Sequence, residues 1–279
     1  MASHADGVRA LPPPRARVGR DELIEAVARR EGVAALLGLA GLTLLAWLSL
    51  SRLGHEMADM AAMHMAPAGP WSATDALLAG GMWAVMMVAM MLPGAAPMIL
   101  VFATVNRKRR LADEADGAPY VNLGLFVLGY LAVWSAFSVG AALAQWGLHT
   151  AALLSEDAMR AGPVAGALIL LAAGVYQLTP FKYACLARCQ TPLGFLLSEW
   201  REGNGGTLVM GLRHGLFCLG CCWALMALLF VGGVMNLAWV AAIAGFVLVE
   251  KLVPAGRVVS WLSGGALLAW GLWALYSVL

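Results

Sequence analysis

Five cysteines and a histidine carry most of the chemistry this chain could do. Cys218, Cys221 and Cys222 lie with His214 in HGLFCLGCCW, an otherwise apolar stretch, and Cys185 and Cys189 lie a short way upstream in TPFKYACLARCQTP. Thiolates and imidazoles are ligands for soft and borderline metals, and paired thiols can also exchange electrons as a disulfide. If HGLFCLGCCW is helical, its four ionisable side chains fall within an arc of about 100°, a single stripe. Distance then divides that stripe. His214 and Cys222 stand about 12 Å apart along the axis, too far to share an ion whose bonds are about 2.0–2.3 Å. Cys218 can share an ion with Cys221 or Cys222, and His214 can share another with Cys218. The remaining ligands are expected from Cys185 and Cys189, which share a face if their segment is helical. The stretch therefore reads as one wall of a site in the cytoplasmic half of a bilayer, with CLARC as the other wall. Free cysteine is also a small apolar filler of helical cores. Five of them beside His214 and Arg213 argue for function, because ionisable groups are costly inside a membrane.

Two methionine-rich stretches could feed such a site. HEMADMAAMHM holds His55, Glu56, Met57, Met60, Met63, His64 and Met65. Thioethers and imidazoles without thiols suit copper on an oxidising face, where exposed thiols would be lost. Further on, GMWAVMMVAMMLPGAAPM stacks Met82, Met86 and Met90 on one face, with Met87 and Met91 one step round and Met98 beyond. A ladder of weak thioether sites could relay a soft monovalent ion, although methionine is equally an adaptable packing residue. Pro93 and Pro97 are expected to break or bend that helix.

The elements that position these residues follow from composition. Of 279 residues, 61% are hydrophobic and 12% charged, with a mean hydropathy of +0.78. A soluble domain could not hide that much apolar surface, so the fold class expected is all-α, a polytopic transmembrane bundle. Seven spans are predicted, near 33–53, 74–104, 121–146, 163–181, 207–231, 234–250 and 258–278. Residues 1–32 read as a cytoplasmic N-terminal segment, disordered over 1–20 and amphipathic over 21–31. Residues 33–279 read as a single membrane domain, with an external Met/His loop at 54–73 and a Cys/His core at 174–255. Basic residues fix the expected orientation. The N-terminal arginines, NRKRR, Lys182, Arg188, Arg201, Lys251 and Arg257 fall on one side, and Arg52 and Arg160 on the other. That places the N-terminus in the cytoplasm and the C-terminus outside a bacterial inner membrane. The net charge of +2 is uninformative, and no nucleic-acid partner is expected.

The run GVYQLTPFKYACLARCQTPLGFLL, EWREGNGG, GLRHGLFCLGCCWALMALLFVGGVMNLAWV and VEKLVP, together with MWAVMMVAMMLPGAAPM, resembles a known bacterial family. That family is described as predicted metal-binding integral membrane proteins (domain of unknown function 2182). The resemblance covers about residues 75 to 255. It implies metal binding without implying a reaction. Its motif positions match Cys185, Cys189, His214, Cys218, Cys221 and Cys222, and also Met86, Met87, Met90, Met91, Pro93 and Pro97. The polar residues Gln177, Lys182, Glu199, Arg201, Asn236, Glu250 and Lys251 match as well.

Three functions fit these residues. The first is handling of Cu(I), with capture, transfer or delivery across the membrane, no catalysis, and a metallochaperone or membrane protein as acceptor. It joins a capture loop, a thioether ladder and a thiol acceptor. The second is an accessory subunit whose structural zinc or copper staples helices together. The third is a thiol–disulfide oxidoreductase, against which stands the absence of any cysteine in an external loop.

Overall fold

The computed structural model describes residues 15–62, 72–111, 119–151, 153–154 and 160–278. Among them the chain is helical, and an isolated bridge between Leu154 and Ala161 is all the β structure there is. The described residues form ten helices in order: α1 (Arg15–Ala62), α2 (Ala73–Leu111), α3 (Pro119–Thr150), α4 (Pro163–Gln177), α5 (Pro180–Gln190), α6 (Pro192–Glu199), α7 (Gly203–Ala227), α8 (Leu229–Gly232), α9 (Leu237–Leu252) and α10 (Gly256–Tyr276). The all-α bundle expected from composition is therefore what forms. Among the described residues, five stretches are long and apolar enough to cross a membrane: Gly32–Glu56, Ala73–Arg110, Tyr120–Thr150, Gly203–Gly232 and Gly256–Tyr276. The pair α4 and α5, bent by 66°, makes a sixth if counted as one broken span.

The difference from seven expected spans lies in two places. The fourth span does not end near residue 181 but turns at Leu178–Thr179 and continues as α5. The sixth, α9, has 16 residues, about 24 Å of helix, short of a hydrocarbon core of about 30 Å. Residues 15–31 also differ from expectation, since they continue the helix of the first span. Of the expected external loop, residues 54–62 belong to the end of α1. His64 and the rest of that loop up to residue 71 lie outside the described residues, as do residues 1–14 of the tail.

Pro93 and Pro97 sit inside α2 without ending it. A proline removes one helical N–H donor, so Pro93 leaves the Ala89 carbonyl without its usual partner. The Trp47 indole of α1 donates to that oxygen at 3.2 Å, which binds the peripheral first helix to the core. Helices α3 and α7 meet backbone to backbone. A Cβ on Gly211 would collide with the Phe126 carbonyl, and one on Gly215 would stand 2.9 Å from the Val133 side chain. Small residues allow this approach where apolar lipid gives side chains little reason to associate. Gly174 does the same between α4 and α10, where a Cβ would lie 2.8 Å from Leu268 Cγ.

Contacts define two ends of the bundle. At one, Gly54 meets Leu237, and the Ala161 amide donates to the Phe230 carbonyl at 2.7 Å. At the other, Arg109 pairs with Glu202 at 2.6 Å, Arg257 lies over the Tyr183 ring, and Gln190 donates to the Val253 carbonyl at 3.1 Å. Arg52 and Arg160 belong to the first end. Arg107–Arg110, Arg188, Arg201 and Arg257 belong to the second. Two of the loop lysines expected there are not loop residues. Lys182 and Lys251 are 0% and 6% exposed, inside α5 and α9, because each has a buried partner to hold it.

Candidate metal centre

The site is assembled where α7, α5, α2, α3 and α9 converge. On α7 the stripe His214, Cys218, Cys221 and Cys222 is buried throughout, as the helical spacing required. The Cys221 and Cys222 thiols both donate to the Cys218 carbonyl, at 3.1 and 2.9 Å. Opposite them, α5 starts with Thr179 as N-cap, its hydroxyl accepting from the Lys182 amide at 3.3 Å, and Pro180 in the first turn. That start sets the rotation of α5 and turns Cys185 and Cys189 toward α7.

The contact expected between CLARC and the fifth span is present. Cys189 Sγ lies 3.9 Å from Cys221 Sγ. Closeness depends on Gly220, where a Cβ would stand 2.7 Å from Cys185 Sγ. The Tyr176 hydroxyl donates to the Gly220 carbonyl and fixes the same point of α7. A second sulfur pair joins α7 to α2, with Cys222 Sγ 3.8 Å from Met91 Sδ.

Two further residues complete the cluster, Lys251, expected in a loop, and Tyr130, not singled out among the candidate ligands. Lys251 of α9 directs its ammonium to Cys218 Sγ at 3.0 Å and stands 3.9 Å from Met91 Sδ. Gly94 makes room for it, since a Cβ there would lie 3.2 Å from Lys251 Cδ. The Tyr130 hydroxyl of α3 lies 3.1 Å from Cys218 Sγ and donates to the Met91 carbonyl at 3.0 Å. A tyrosine hydroxyl buried in an apolar span needs a polar partner, and that requirement was the one sequence signal for Tyr130. For Lys251 it was a lysine at the end of an apolar run.

Lys251 follows Glu250 in the chain, and Glu250 holds a separate polar cluster. Its carboxylate accepts from Lys182 Nζ at 2.7 and 2.8 Å, and from the Ser260 hydroxyl. Gln177 also receives Lys182 and in turn donates to Ser263 at 2.8 Å. The ion pair is 0% and 1% exposed. It ties α5, which carries the cysteine pair, to α9, which carries Lys251.

His214 sits among aromatic rings. Its ring stacks on Tyr130 and Phe126 with centroids 5.5 and 6.0 Å away, and Phe195 meets it edge-on at 5.5 Å. Both ring nitrogens are buried without a hydrogen-bond partner, an uncommon state for a buried polar group. Met86, Met87, Met90 and Met91 are all buried along α2, and of these Met91 reaches the thiols. His55 stands away from the cluster, exposed near the end of α1.

All five cysteines are free. Among the described residues no three His, Cys, Asp or Glu side chains gather into one metal-holding group. Two sulfur–sulfur approaches are the Cys189–Cys221 and Cys222–Met91 contacts. A sulfur ligand stands about 2.3 Å from zinc, so two on one such ion, at angles of about 109–120°, are about 3.8–4.0 Å apart. Both pairs, at 3.8 and 3.9 Å, match that spacing, which is also ordinary packing contact between two heavy atoms.

The sequence pattern of the copper chaperone family PpoB2 matches residues 80–274. The chain belongs to that family. A copper chaperone family points to a non-catalytic role and to copper as the metal handled. The copper chaperone match takes in every cysteine, His214, the methionines of α2, Tyr130 and Lys251. It begins after α1, so His55 and His64 lie outside it. The resemblance read from the motifs was to predicted metal-binding membrane proteins; the copper chaperone family carries a description of its own and names the metal. No curated protein and no solved structure matches the chain.

Proposed function

We propose that this copper chaperone is an integral protein of the bacterial inner membrane that receives Cu(I) from the outer face, holds it on sulfur inside the bundle and yields it to an acceptor protein. The observation that carries this reading is the pair of sulfur contacts, Met91–Cys222 and Cys189–Cys221. Thiolates and thioethers select Cu(I) over hard cations. Zinc in a structural site takes four ligands, and among the described residues no three His, Cys, Asp or Glu side chains gather to supply them. Cys218 lies about one turn before Cys221 and Cys222 on α7 and faces the Lys251 side chain at 3.0 Å, whose ammonium opposes a further cation. Copper would thus be held by few ligands beside a like charge, an arrangement suited to release rather than storage.

Metal analysis of the purified full-length protein tests the reading. Protein prepared under reducing conditions with Cu(I) should bind about one ion per chain at the thiols. Cys221→Ser and Cys222→Ser should each lower retention against a competing chelator at least ten-fold, or about 1.4 kcal/mol. Wild-type protein that binds no copper would overturn the proposal, and zinc bound in its place would favour a structural site.

A further inference from the structure

Away from the thiols, at the end of the bundle where Gly54 meets Leu237, a narrow cleft opens between α1, α2 and the start of α9. Its walls are apolar except for three thioethers: Met82 and Met86, one turn apart on α2, and Met235, from the turn Gly233–Asn236. From this cleft we infer a second copper site, a thioether mouth in which Met82, Met86 and Met235 hold one Cu(I) before it reaches the cysteines. The inference rests on the copper reading proposed above and assigns an entry point to it.

Three observations lead there. The first is size. The void measures about 10 Å³, close to the smallest that holds a water molecule, so it suits a bare ion and excludes an organic ligand. The second is ligand chemistry. Thioethers are soft and uncharged, so they accept Cu(I) and give a hard divalent cation little reason to leave water. Neutral ligands also hold a cation less tightly than thiolates, as a site that must pass its ion onward requires. The third is placement. Met86 precedes Met91 by about 7.5 Å along α2, and Met91 Sδ is already 3.8 Å from Cys222 Sγ. An ion moving from mouth to cluster thus goes from neutral to anionic sulfur along one helix.

His55 follows Gly54 on α1, exposed and not itself a wall of the cleft, and its Nδ1 lies 2.6 Å from the Ser51 carbonyl. A carbonyl can only accept, so Nδ1 carries the proton and the Nε2 lone pair is left for a metal. Metal-binding histidines are commonly oriented by such a bond.

The test uses the full-length protein in detergent with Cu(I) as the probe. With all five cysteines changed to serine, the chain should still bind one Cu(I). Met82→Leu with Met235→Leu in that background should weaken binding at least ten-fold. Met98→Leu, a buried methionine of α2 that does not line the cleft, should leave it unchanged. Leucine is close to methionine in volume, so packing should survive. A serine background that folds but binds nothing, or is unaffected by the leucine pair, overturns the mouth. If that background does not fold, selenomethionine-labelled wild-type protein gives the same reading. Copper–selenium scattering should appear at the second equivalent of Cu(I) and vanish in the leucine pair, and its absence overturns the mouth. The cysteine-bearing leucine pair separates the two proposals. It should keep the thiolate–copper absorption band of the first equivalent, whereas loss of that band already in wild type would defeat the copper reading itself.

Discussion

At the scale of single residues, the centre depends on sulfurs that come from helices far apart in sequence. Cys189 and Cys221 have free thiols 3.9 Å apart, farther than a disulfide of about 2.05 Å but within a side-chain rotation of one. In a chain keeping these two cysteines and carrying serine at the other three, a mild oxidant should join them intramolecularly. Mass spectrometry of the digested protein would detect the linked peptides. Gly220→Val should sharply reduce that yield, because its side chain occupies the space of Cys185 and pushes α5 away from α7. An unchanged yield would mean that the two helices do not depend on Gly220 for their approach. The stripe from His214 to Cys222 was legible in the sequence, since helical geometry alone fixes which residues share a face. Its division by distance was legible too, and His214 does sit in an aromatic box while Cys222 meets Met91. The approach of Lys251 and Tyr130 to Cys218 was not, because 33 and 88 positions separate the partners and no local period encodes that distance.

At the scale of elements, the placement of α5 rests on one buried ion pair. Lys182 was read as a loop cation because basic residues after a span commonly lie in cytoplasmic loops. Its carboxylate partner is 68 positions away on α9, and with both side chains enclosed the loop reading fails. A buried pair need not stabilise a fold relative to apolar residues, but breaking one leaves an uncompensated charge at a cost of about 3–5 kcal/mol. Lys182→Met should therefore lower the thermal midpoint of the detergent-solubilised protein strongly. Lys182→Met with Glu250→Leu should recover most of the loss. If the single variant is as stable as wild type, the pair does not hold α5 in place. A double variant that is stable yet binds copper less well would show that the pair positions the cysteine-bearing helix rather than simply holding the bundle together.

At the scale of the whole molecule, orientation turns on α9, expected as a full span and found with 16 residues. Its ends nonetheless belong to opposite ends of the bundle. Leu237 packs on Gly54 beside the methionine cleft, whereas Val253, just past the other end, accepts from Gln190 near Arg188 and Arg257. A short helix can join the two ends if its flanking residues reach beyond it, and Asn236 at its start and Arg257 after it are both exposed. Removing Lys182 and Lys251 from the count still leaves Arg107–Arg110, Arg188, Arg201 and Arg257 on one end against Arg52 and Arg160 on the other. On the proposed reading that asymmetry would put the arginine-rich end in the cytoplasm and the methionine cleft outside, the polarity that inward passage of copper requires. In the five-serine background, single cysteines at Asp59 and Asn236 should react with a membrane-impermeant maleimide in intact spheroplasts. Single cysteines at Lys108 and Arg257 should react only after permeabilisation. Labelling of positions 236 and 257 from the same side would show that α9 does not cross.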